Sequence, residues 1–122
     1  MTSTLLVLAG LMGACGVVLA AAAAHGTSAA GLDSAAYLLL FHAVAILAAA
    51  SLTSHELLWR PLGLVAMVGF VVGGGLFAGD ISMRAFGGHR LFPGAAPTGG
   101  TLLILAWLVL SAAAIVAMAR PR

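Results

Sequence analysis

Five arginines, three acidic residues and four histidines supply nearly all the chemistry of this 122-residue chain, which is 63% hydrophobic and 7% charged. Two histidines stand out: His25, which closes the run "AAAAHG", and His42, set inside "YLLLFHAVA". A histidine pair suggests a metal or haem. A metal site, however, wants at least three ligands converging near one point, and a haem held by two histidines needs both at one depth. Asp80 and Arg84 stand four apart, the spacing of an ion pair on one helix face. Soluble-type catalysis is poorly supported: no serine or cysteine lies in a recognisable nucleophile motif, and no two carboxylates are placed to share a substrate. Gly73-Gly74-Gly75 lies in an apolar run without a following Lys, so it is not a phosphate loop. The sequence motivates neither an enzyme nor a bound cofactor.

The elements that position these residues follow from composition. Soluble domains are about 25% charged, far above this chain. The windows 4–24, 35–54, 62–79 and 99–119 contain no Lys, Arg, Asp or Glu. At about 1.5 Å per helical residue, each is long enough to cross a hydrocarbon core of about 30 Å. The expected fold is an all-α membrane protein, a compact up-and-down bundle of four transmembrane helices forming one domain over residues 1–122. "MTST" lacks the positive charge of a signal peptide, so the first window is expected to remain as a helix. Cys15, alone among Gly and Ala, is expected to be inert packing. The net charge of +2 is scattered between the windows and leaves no nucleic-acid footprint. The partner it implies is the lipid bilayer, with a membrane-protein partner or a second copy as further possibilities.

Boundary signals divide the windows. Gly26 follows a helix end, Asp33 or Ser34 can cap the second helix, Pro61 suits the first turn of the third, and Thr98 can cap the fourth. The longest connection, residues 80–98, is expected to begin with an interfacial helical turn carrying Asp80 and Arg84. Arg84 and Arg90 fall on one side of the membrane; Arg60, Arg120 and Arg122 fall on the other with both termini. The positive-inside rule then puts the termini in the cytoplasm of a bacterial cell, across its inner membrane. In lipid, small residues let helices approach closely, and Gly13, Gly16, Gly69, Gly73, Gly75 and Gly79 are the candidates for such contacts.

"AAAAHG", "YLLLFHAVAIL", "GGGLFAGD" and "APTGGTLLILAWLVL" together resemble, in that order, the small four-helix membrane family known as domain of unknown function 423, the YgdD-type and transmembrane-protein-256-like proteins. That family's pattern reads Gly-Ala-His-Gly, then Tyr-Gln with His-Ala, then Phe-Ser-Gly-Ser, then Thr-Pro-x-Gly-Gly. His25, Gly26, His42, Ala43, Phe77, Gly79, Gly99 and Gly100 match it. Leu38 replaces the glutamine, Ala78 and Asp80 stand near the usual serines, and Pro97-Thr98 inverts the Thr-Pro. The resemblance implies an integral membrane protein of unassigned activity.

Alternating helices put His25, Asp80, Arg84 and Thr98 on one face. Counted from Ser34, His42 lies about 12 Å below it, level with Trp107. A buried intramembrane histidine is by default a functional-site hypothesis. The expected arrangement is therefore a polar, glycine-lined crevice formed by His25, His42, Asp80, Arg84, Thr98 and Trp107, with His42 deep and His25 at the mouth. The expected function is a non-catalytic accessory, assembly or regulatory component of a membrane complex. A small oligomeric transporter or channel, and a haem- or metal-binding redox accessory, are the alternatives.

Overall fold

The structure, a computed structural model, describes residues 1–26 and 30–120. Arg122, which entered the charge count above, lies outside the described residues. The four helices are α1 (Thr2–Ala24), α2 (Leu32–Ser54), α3 (Arg60–Gly87) and α4 (Ala95–Ala119). All four are apolar and long enough to cross a membrane; at about 1.5 Å per residue they measure about 34 to 42 Å. None shows a distinct polar face, which is how a helix surrounded by lipid and protein should read.

Two caps differ from expectation. Helix α2 starts at Leu32 behind Gly31, whose φ of 92° is left-handed, and neither Asp33 nor Ser34 caps it. Asp33 occupies the first turn instead, where a carboxylate is favoured by the helix dipole. Helix α4 likewise opens behind Gly94, at φ 86°, so Thr98 lies within the helix and its N–H donates to Gly94 O at 2.9 Å. Pro97 does not prevent this earlier start, because a first-turn N–H has no intrahelical partner to lose. Pro61 falls in the first turn of α3 as expected. The interfacial turn expected after Gly79 is a direct continuation of α3 to Gly87.

Packing follows chain order: α1 on α2, α2 on α3, α3 on α4, with a thin contact between α1 and α3. Helices α2 and α3 are the more buried and α1 and α4 flank them. The closest approach joins α3 to α4. A methyl group on Gly99 would sit 2.6 Å from Gly73 O and 2.6 Å from the Phe77 N, and one on Gly69 would sit 2.8 Å from Ala106 Cβ. Only glycine admits two backbones at that separation. Gly16 plays the same part between α1 and α2, where a methyl would meet Leu40 Cγ at 2.8 Å and Ala36 O at 3.1 Å. Outward-facing Val7, Val18, Phe41, Val44, Ile104 and Ile115 are exposed, as side chains solvated by lipid should be.

Candidate functional site

His42 is buried at 5% exposure, beside the middle of α2. Counting from Leu32 puts it about 15 Å along the helix, deeper than the count from Ser34 because α2 begins earlier. Trp107 is the middle residue of α4, and its Nε1–H donates to His42 Nε2 at 3.1 Å. An indole nitrogen can only donate, so Nε2 must accept and Nδ1 must carry the ring hydrogen. Nδ1 lies 2.7 Å from Leu38 O, one turn earlier, and donates to it. Both ring nitrogens are therefore satisfied within the protein.

Phe70 of α3 completes the arrangement. It is fully buried, with its ring centroid 5.2 Å from that of His42 and 4.9 Å from that of Trp107, both tilted. The three rings, one from each of α2, α3 and α4, form a knot near mid-membrane, and the His42–Trp107 bond ties α4 to α2 across α3. The expected glycine lining is thereby corrected. The α3 glycines near this level are committed elsewhere: Gly69 and Gly73 to α4, and Gly74 to Met12 and Leu39. An aromatic ring, not empty space, meets His42.

The other members of the expected crevice do not converge on it. His25 caps the end of α1 and is exposed. Thr98 is exposed in the first turn of α4. Asp80, 2% exposed, forms a separate centre near the far end of α3: Oδ2 pairs with Arg84 Nη2 at 3.1 Å and Oδ1 accepts the Leu91 N–H at 3.0 Å. Leu91 also packs toward Gly79, where an added methyl would lie 3.2 Å from Leu91 Cδ1. Asp80 thus fastens the α3–α4 connection back onto α3. Among the described residues no three His, Cys, Asp or Glu side chains gather in a way that could hold a metal.

The remaining candidate glycines divide. Gly13 makes an ordinary contact with Ala43, while Gly75 faces open space. Gly75, Gly79 and Ser82 border an apolar groove of about 500 Å³ between α1 and α3, across from Leu11, Cys15 and Val18. Cys15 is exposed there rather than packed inside, contrary to expectation. Sequence reasoning missed Phe70, the Leu91 N–H and the ties of Trp59 described below. Phe70 shares its helix with Phe77 and Phe86, so its residue type alone did not single it out.

Four apolar helices joined by short connections, with a hydrogen-bonded histidine at their centre, define a small polytopic membrane protein. Residues 12–100 match the family described as "Protein of unknown function (DUF423)", and the chain belongs to that family. Comparison with curated proteins and with solved structures finds no match. Two of the stretches that carry the family resemblance meet in space, since Gly99 of the fourth lies against the backbone of Phe77 of the third, whose N a methyl on Gly99 would approach to 2.6 Å.

Proposed function

We propose that this protein is a non-catalytic accessory, assembly or regulatory component of a membrane complex, lying in a bacterial inner membrane with both termini in the cytoplasm. The observation that carries this reading is the use made of its buried polar groups. His42 and Asp80 are the polar side chains buried among the described residues, and each is held by partners inside the chain. No described buried side-chain nitrogen or oxygen lacks a partner. Along its membrane-spanning length the molecule offers apolar helix surface outward, interrupted by the groove between α1 and α3. A redox accessory has less support, because ligating a haem or metal through His42 Nε2 would require breaking its bond to Trp107. A transporter has less support too, because the four helices run unbroken through their central turns.

A photo-crosslinking amino acid at Leu11 or Val18, in the groove, and at Ile104, on α4, tests the proposal in native membranes. A single stoichiometric protein adduct from the groove, recovered reciprocally from the tagged partner, is the expected result. Adducts with lipid alone from all three positions would overturn it. Adducts with a second copy alone would replace a heterologous complex by a homo-oligomer.

A further inference from the structure

We propose that the end of the bundle carrying the termini holds a binding site for the headgroup of a zwitterionic aminophospholipid, with Arg60 and Arg120 taking the phosphate and Glu56 the ammonium. The site is an open groove of about 490 Å³ lined by Thr53, Glu56, Trp59, Arg60, Ala117 and Arg120, within the ordinary size of a small-molecule site. It lies at the other end of the molecule from Asp80 and apart from the His42 knot.

Depth is the first argument. The Trp59 N–H donates to Ala113 O at 3.0 Å, lashing the start of α3 to α4 before α4 ends. From Ala113 to Ala119, α4 continues about 9 Å further, so Arg60 is held alongside the last turns of an apolar helix and not beyond them. That is headgroup level. Trp59, half-buried, marks the same boundary, where tryptophan is favoured at membrane surfaces.

Charge is the second. The Arg120 guanidinium lies 5.3 Å from the Trp59 ring centroid, a cation–π placement that holds it over the groove. Arg60 is the first residue of α3, whose N-cap Trp59 supplies no side-chain bond, so the helix dipole adds to its positive charge. Glu56 borders the same groove, yet the ion pair found among the described residues is that of Arg84 with Asp80. Two cations and one anion therefore surround one space without neutralising each other directly. A phosphate with a tethered ammonium matches that layout, and arginine forks suit phosphate oxygens.

The third argument is the backbone of Glu56. Among the described residues it is the one non-glycine at positive φ, 61°. The N–H of Leu57 donates to Leu52 O and that of Glu56 to Thr53 O, the pattern of a helix end that ordinarily places glycine where Glu56 stands. A glutamate in this strained position is accounted for if its carboxylate is needed there.

The purified, delipidated full chain, offered lipids of matched acyl chains and read by native mass spectrometry, tests the proposal. One phosphatidylethanolamine should be retained per chain in preference to phosphatidylglycerol, which lacks the amine, and to phosphatidylcholine, which lacks its N–H donors. Arg60→Gln or Arg120→Gln should each weaken retention about tenfold, the loss of one charge-assisted bond. Glu56→Gln should abolish the preference over phosphatidylglycerol while leaving phosphatidylglycerol binding intact, and Arg90→Gln, at the opposite end, should change nothing. An unchanged tryptophan-detected melting temperature shows that each variant is folded. Equal retention of all three lipids, indifference to Arg60→Gln and Glu56→Gln, or equally tight binding of soluble glycerophosphoethanolamine would overturn the proposal.

Discussion

At the scale of single residues, His42 and Trp107 exist as a pair, and their loss should show it. His42→Leu leaves the indole N–H without an acceptor and should cost about 0.6–1.7 kcal/mol, the range of intramembrane hydrogen bonds. Trp107→Phe should cost a comparable amount. The double variant, which removes donor and acceptor together, should fall short of their sum, since a lost bond is counted once and no polar group is stranded. Thermal unfolding in detergent measures all three; strict additivity would mean that the 3.1 Å contact contributes nothing. Glu56→Gly is expected to raise stability by about 1 kcal/mol by removing the left-handed strain, while it abolishes the lipid preference inferred above. The sequence made His42 legible as an expensive intramembrane residue and placed Trp107 at its level. It hid Phe70, because an aromatic side chain within an apolar run is ordinary core by composition, and only the relative rotation of α2, α3 and α4 brings the three rings together.

Elements are held by two devices, each with its own test. The α3–α4 contact depends on Gly99 lying against Gly73 O and the Phe77 N. Gly99→Ala is therefore expected to cost about 1–3 kcal/mol through overpacking against backbone that cannot move aside, whereas Gly75→Ala, with nothing within 4 Å, should stay within about 0.5 kcal/mol of the parent. Equal melting temperatures for the two would refute the backbone contact. The second device is Asp80. Arg84 is 43% exposed, so the ion pair is largely screened and worth about 0–1 kcal/mol; the bond to the Leu91 N–H in the part-buried connection matters more. Asp80→Leu should open residues 88–94 to proteolysis at a cost of about 1–3 kcal/mol, and Asp80→Asn, which still offers an acceptor, should protect them. The Asp80–Arg84 spacing and the glycine pair Gly69 and Gly73 could be read directly from the chain. The helix starts could not. Gly31 and Gly94 supply left-handed turns ahead of the polar residues that a capping rule would choose, and Pro97 is silent in a first turn.

For the whole molecule, the even number of spans and the closeness of consecutive helices put both ends of the chain, and the Glu56–Arg60 connection, on the face opposite Arg84 and Arg90. Which face is cytoplasmic depends on the arginine distribution, and the structure sharpens how those arginines act. Arg84 is bound to a buried carboxylate, while Arg60 and Arg120 border an open groove and form no ion pair among the described residues. Free cations are the ones that resist translocation. The termini face is accordingly expected to be cytoplasmic, and labelling of intact cells with a membrane-impermeant maleimide reads this out. The native thiol is first removed by Cys15→Ala, which the exposure of Cys15 makes tolerable. Arg90→Cys should then label in intact cells, and His55→Cys only after permeabilisation. The reverse pattern would invert the molecule and move the lipid site to the outer leaflet. Labelling of both positions from one side would refute the four-span arrangement itself, because no bundle of four alternating helices can present the α2–α3 and α3–α4 connections to the same compartment.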